Sequence, residues 1–78
     1  MLLSEAVRKR IIKLAEKKKI NLHQLAILSG IPNTTLNSFM NKKSNSPQLK
    51  TILHICEGFE IELQDFFADS IFKNVEED

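Results

Sequence analysis

Within one nine-residue stretch, Asn33, Thr34, Asn37, Ser38 and Asn41 are all short, polar and uncharged. Amides and hydroxyls both donate and accept hydrogen bonds, so the chemistry open to this set is recognition of another hydrogen-bonding surface. A catalytic reading finds less support. Ser, His and acidic residues occur, but no nucleophile, base and orienting group fall at a spacing that argues for a reacting set. The single cysteine, Cys56, excludes an internal disulfide, and with His23 and His54 it makes no pattern of metal ligands. No metal, cofactor or small-molecule ligand is expected, and the chain is read as a non-enzyme. Asn, Thr and Ser are mediocre helix formers. A helix that exposes them forgoes stability that Lys, Glu or Ala would supply, which favours a face kept for binding over a merely solvated one.

That face has to be positioned by neighbouring elements, and the sequence marks them. Ser4 is a candidate N-cap, followed by Val7, Ile11, Leu14 and Ala15 at helical spacing, with Lys17, Lys18 and Lys19 at the favourable negative end. Asn21 with Gln24 three residues on makes a capping box for a second helix, with Ile20 and Leu25 as a hydrophobic staple and Leu25, Ala26 and Leu28 as its apolar positions. Ser29-Gly30-Ile31-Pro32 breaks that helix, because Gly30 takes a left-handed conformation cheaply and Pro32 suits a helix start. A third helix over about 33–41 turns Leu36 and Phe39 inward and the five polar residues outward. A polar loop follows, then Ser46 as N-cap and Pro47 at the first helical position of a fourth helix with the stripe Leu49, Ile52, Leu53 and Cys56. Gly58 to Glu62 reads as a break before a short fifth helix holding Leu63, Phe66 and Phe67. No segment alternates at period two. The expected fold is all-α, with five helices.

Length and charge bound the class. Seventy-eight residues with 42% apolar content make one small domain, divided here into a body over residues 1–69 and an acidic tail over 70–78. No apolar run reaches membrane-spanning length, the first residues lack the pattern of a secretory leader, and a lone cysteine suits a reducing cytoplasm. Net charge is only +1, yet residues 1–50 hold ten Lys and Arg against two acids, while residues 51–78 hold one Lys against eight acids. Such a chain is able to turn a basic face to phosphates and keep its acidic part away. Ile71, Phe72 and Val75 within the acidic tail imply that it packs back on the core or against a second subunit.

Leu25-Ala26-Ile27-Leu28-Ser29-Gly30-Ile31, Thr35-Leu36, Phe39, Ser46-Pro47-Gln48-Leu49, Ile52-Leu53 and Ile61-Glu62-Leu63-Gln64-Asp65-Phe66-Phe67 together resemble the phage repressor/Cro-like, xenobiotic-response-element group of helix-turn-helix regulators. The resemblance spans about residues 5–67. It implies a five-helix, lambda-repressor-like domain whose helix over 33–41 enters the major groove of duplex DNA. By position it assigns base contacts to Asn33, Thr34 and Ser38, then Asn37 and Asn41. With no Arg on that face to grip guanine, an A·T-leaning core site is expected. Phosphate contacts fall to Lys42, Lys43 and Ser44, to Asn21 with the first amides of the second helix, and to Lys19; Lys9, Arg10 and Lys13 are weaker candidates. One such module buries little surface, so a homodimer on a near-palindromic operator is expected, weak off DNA, with Phe59, Ile61, Leu63, Phe66 and Phe67 at its interface. The function implied is transcriptional repression. The alternative is a protein-interaction module of the same fold, an antitoxin-like or anti-repressor partner, which the acidic C-terminal third favours.

Three departures from the family pattern stand out. Ala15 and Met40 replace an Arg–Glu pair, Lys42 stands where a glycine usually follows the recognition helix, and Glu60 stands where a glycine usually ends the fourth helix.

Overall fold

The computed structural model describes residues 1–41 and 47–78. Over these the chain forms five α-helices, α1 (Leu3–Lys18), α2 (Leu22–Ser29), α3 (Asn33–Met40), α4 (Leu49–Phe59) and α5 (Leu63–Phe66), and then a 3₁₀ turn at Ser70–Phe72. The all-α expectation holds. α1, α2, α3 and α4 enclose one core of Val7, Ile11, Leu14, Ala15, Leu25, Ala26, Leu36, Phe39, Ile52, Ile55, Cys56 and Phe59, which Phe66 of α5 completes.

Three helices end by one device. Lys19, Gly30 and Glu60 follow α1, α2 and α4 in the left-handed region, with φ of 59°, 68° and 60°. In each case the next residue is an isoleucine whose amide reaches back to the carbonyl five residues earlier: Ile20 to Ala15 at 3.0 Å, Ile31 to Ala26 at 3.1 Å and Ile61 to Cys56 at 3.0 Å. All three isoleucines pack on the core. This is the Schellman closure with its hydrophobic contact, and only one of the three uses glycine. The fourth helix therefore ends at Glu60 in the conformation that the glycine would have taken.

Several local expectations are corrected. Ser4 is not the N-cap of α1. Leu2 is, with no side-chain cap, and Ser4 is buried inside the first turn. The open amides of that turn are met from the far end of the chain instead: Leu3 N–H donates to the Glu76 carbonyl at 2.8 Å, and Ser4 N–H to Asp78 Oδ1 at 3.3 Å. α4 begins at Leu49 with Gln48 as N-cap, not at Pro47; Ser46 lies outside the described residues. Gly58 does not break α4 but sits within it. Keeping Phe59 helical selects the stripe Ile52, Ile55, Cys56 and Phe59, which leaves Leu49 76% exposed and Leu53 outside as well. Leu28 is likewise exposed, because Leu25, Ala26 and Ser29 fill the inward side of α2.

Gly58 has a packing reason. A Cβ there would overlap Ser29 Oγ and come within 3.1 Å of the Ser29 nitrogen, so the glycine lets α4 meet the end of α2 backbone to backbone. Residues 70–78 are not a free tail. Phe72 packs against the core, with its ring 4.9 Å from that of Phe67 and 6.0 Å from that of Phe66.

Candidate nucleic-acid interface

The interface candidate is built on α2, its turn and α3. Asn21 opens α2 with the expected reciprocal cap: its Oδ1 accepts the Gln24 amide at 2.8 Å, and Gln24 Oε1 accepts the Asn21 amide at 2.9 Å. Two open donors are thereby satisfied, and Asn21 itself is exposed. Gly30 turns the chain through its left-handed φ, and Pro32, in extended conformation, is the N-cap of α3.

Leu36 and Phe39 hold α3 to the core. At about 100° per residue, Thr34 and Asn41 point opposite these two anchors, Asn37 and Ser38 flank them, and Asn33 lies toward the Met40 edge. Asn33, Thr34 and Asn41 are exposed, and Asn37 and Ser38 half-buried. The structure thus brings the five sequence-identified residues to one outward face, with no charge upon it.

Around this face the basic residues sort by availability. Lys19 is exposed at the end of α1, two residues before the α2 cap, and Lys9 is exposed on α1. Lys42, Lys43 and Ser44 lie outside the described residues. Arg10 is committed elsewhere. Its Nε donates to the Phe66 carbonyl at 2.7 Å, its Nη2 to the Asp65 carbonyl at 2.8 Å, and its Nη1 lies 3.3 Å from Asp69 Oδ2. Arg10 and Asp69 are 12% and 10% exposed, so the guanidinium is a clamp joining α1 to the carbonyl end of α5. Lys13 Nζ adds a 2.8 Å contact to the same Asp69 carboxylate. The Lys13 bond first, then the Ile71 amide, hold the Asp69 carboxyl below its ordinary range.

Two further residues border the polar face of α3 without standing out in the sequence pattern. Thr35, which the resemblance joins to Leu36, is exposed and borders a groove of about 500 Å³ shared with Gln48, Lys50 and Thr51 of the α4 entry. Counting 100° steps from Leu36 and Phe39 would have put it at the rim. Arg8 has its guanidinium carbon 5.5 Å from the centre of the Phe39 ring, a cation–π geometry that rests a charge against α3. No local sequence signal joins residues 31 positions apart.

Of the five interface candidates, Phe59 and Phe66 are essentially fully buried in the chain's own core and are corrected to core residues. Phe59 is the inward residue of the last turn of α4, and Phe66 lies under the Arg10 clamp. Ile61 is half-buried as the closure of α4; Leu63 and Phe67 are each 38% exposed. Cys56 is buried and burial raises its thiol pKa, as befits a core residue. His23 and His54 are exposed, and His54 Nδ1 lies 3.2 Å from Glu57 Oε1. Among the described residues no group of His, Cys, Asp or Glu could hold a metal ion, and no helix is long and apolar enough to cross a membrane.

In comparison with known families, the model for the Cro/C1-type HTH DNA-binding domain matches residues 10–70. Searches of curated proteins and of solved structures returned no match.

Proposed function

Because the chain belongs to the Cro/C1-type helix-turn-helix DNA-binding domains, we propose that it regulates transcription as a repressor, with α3 lying in the major groove of a near-palindromic operator. The observation that carries this reading is the outward face of α3: five uncharged polar side chains on a helix locked from behind by Leu36 and Phe39. Asn pairs bidentately with adenine, and Thr can bond a base edge or touch a thymine methyl, so Asn33, Thr34, Asn37, Ser38 and Asn41 are assigned to base contacts and an A·T-leaning core is expected. Lys19, Asn21, Lys42, Lys43 and Ser44 are assigned to phosphates, together with the first amides of α2. No cofactor or effector is invoked, the role is binding and not catalysis, and the setting is the cytoplasm.

A homodimer formed chiefly on DNA is part of the proposal. The apolar side chains available to it are Leu63 and Phe67, with Ile61 at their edge, and Glu60, Glu62 and Asp65 stand exposed around them. A small apolar centre ringed by like charge makes a weak dimer in free solution. A second reading, a protein-interaction module of the same fold, draws on Ile27 and Leu28, which are 67% and 58% exposed on α2.

Selection of binding sites from random duplex DNA tests the main reading, repeated with Asn33→Ala plus Ser38→Ala. The expected result is an enriched, A·T-leaning, two-fold symmetric site that the double variant no longer selects. A G·C-rich consensus would refute the base assignment, and no enrichment would favour the interaction module.

A further inference from the structure

We infer that the C-terminal segment completes the surface on which two copies of this chain pair, with Lys73 of each copy set against Glu60 and Glu62 of the other. The inference deepens the dimer of the DNA-binding reading above and rests on it. The surface begins on α5. Leu63 and Phe67 stand about one helical turn apart on one side, each 38% exposed. Phe72 continues them, its ring 4.9 Å from that of Phe67. Beside the two rings a shallow cleft of about 400 Å³ is lined by Phe67, Ala68, Asp69, Ser70, Phe72 and Lys73. An apolar strip therefore runs from Leu63 through Phe67 to a hollow at Phe72 and Lys73.

Charge gives this strip unlike ends. Exposed Glu60 and Glu62 adjoin Leu63 in the chain, and exposed Lys73 stands at the other end, the only base in residues 51–78. Asp69, the acid that shares the cleft, is already held by Arg10 and Lys13, so it leaves Lys73 uncompensated. A two-fold axis can lay such a strip on itself in two ways. Parallel alignment sets Lys73 on Lys73 and acid on acid. Antiparallel alignment sets Lys73 on Glu60 and Glu62, twice over, and brings Leu63 of each copy to the hollow of the other. Like charges brought together are costly and opposite charges fix the register, so the antiparallel alignment is selected. The apolar strip is small against the roughly 800 Å² per partner of a standard interface. Association is accordingly weak, and the charged ends decide its geometry.

The test is sedimentation equilibrium of the free chain at low salt. Lys73→Glu sets acid on acid at both ends, and Glu60→Lys plus Glu62→Lys sets base on base. Each variant alone should self-associate about tenfold more weakly than the native chain. Mixed in equal amounts they restore both contacts at once, and the mixed dimer should form with a constant within about twofold of the native one. Restoration also shows that both variants are folded. Lys19 already holds a left-handed helix end, so Glu60→Lys keeps that closure. Association that neither variant alters, or that both weaken and mixing does not restore, overturns the pairing. Native chains that stay monomeric, alone and in the mixture, overturn it too, and a two-fold symmetric site selected by such chains leaves the operator reading intact. Restoration on mixing supports the pairing whether or not a DNA site is selected, so failure of the DNA reading is seen separately.

Discussion

Gly58→Ala sets helix propensity against packing, and the geometry decides which wins. On propensity alone, alanine in the interior of α4 should stabilise by about 1 kcal/mol. In the structure the new Cβ would overlap Ser29 Oγ and lie 3.1 Å and 3.2 Å from the nitrogen and Cα of Ser29. The hydroxyl could rotate away, but the backbone atoms cannot. α2 must therefore shift away from α4, an overpacking penalty of roughly 1–3 kcal/mol. Net destabilisation of about 1 kcal/mol is expected, a fall in midpoint of roughly 4–8 °C for a domain of this size. Ser29→Ala separates the two contributions. Its Oγ is buried without a hydrogen-bond partner, so removal should be neutral or stabilising by up to about 1 kcal/mol. In that background Gly58→Ala should cost less, since only the backbone contacts remain. Urea denaturation of the four members of this cycle measures both effects. Since Ser29 immediately precedes the Gly30 turn, the shift should also weaken operator binding. A Gly58→Ala chain more stable than the native one would refute the close approach of α2 and α4.

Glu60→Gly should stabilise by about 0.5–1 kcal/mol, because relief of a left-handed residue at roughly 1–2 kcal/mol outweighs the added freedom of the unfolded chain at about 0.4–1 kcal/mol; a thermal melt checks it. Asp69 and Asp78 both carry lowered pKa values, so their contribution to stability is in force above the ordinary carboxylate pKa of about 3.9 and lost as pH falls through their folded values. Urea midpoints from pH 6 to pH 2 should accordingly drop below about pH 4, and less so in Asp69→Asn. Lys19→Ala should reduce the log–log salt slope of operator binding by about 1, and Lys42→Ala with Lys43→Ala by about 2; unchanged slopes would remove these lysines from the phosphate set.

What was legible in the sequence was local. The Asn21–Gln24 cap, the Gly30 turn, the inward Leu36 and Phe39 and the polar face of α3 all follow from residue type and spacing within one turn or two, and the structure has each of them. What escaped was decided by distant partners. Ser4 looks like an N-cap, but the strand-like return of Glu76 and Asp78 supplies the missing acceptors, which lets α1 start before it. Gly58 looks like a breaker, but it marks the place where Ser29 comes closest. Reading it as a break takes Phe59 out of α4 and sets Leu49 and Leu53 on the stripe beside Ile52 and Cys56, where the structure has Ile55 and Phe59. Glu60 stands where the family pattern has glycine, yet its backbone takes the left-handed conformation, and Ile61 after it packs on the core.

The folded-back segment also changes what the charge pattern means. The sequence divides into a basic half and an acidic half, which suggests two faces of opposite sign. In three dimensions the halves are interleaved: Asp69 holds Arg10 and Lys13, and Asp78 binds Ser4 a turn away from Arg8. The large positive charge of residues 1–50 therefore overstates what is free to meet phosphate. In the proposed role, an uncharged polar face on α3 leaves a single module short of both affinity and selectivity. A second copy bound at a symmetric half-site would supply the difference. Such a dimer roughly doubles the log–log salt slope per bound duplex, so titrations on a duplex with one half-site and on one with two should differ about twofold in slope, and equal slopes would count against the second copy.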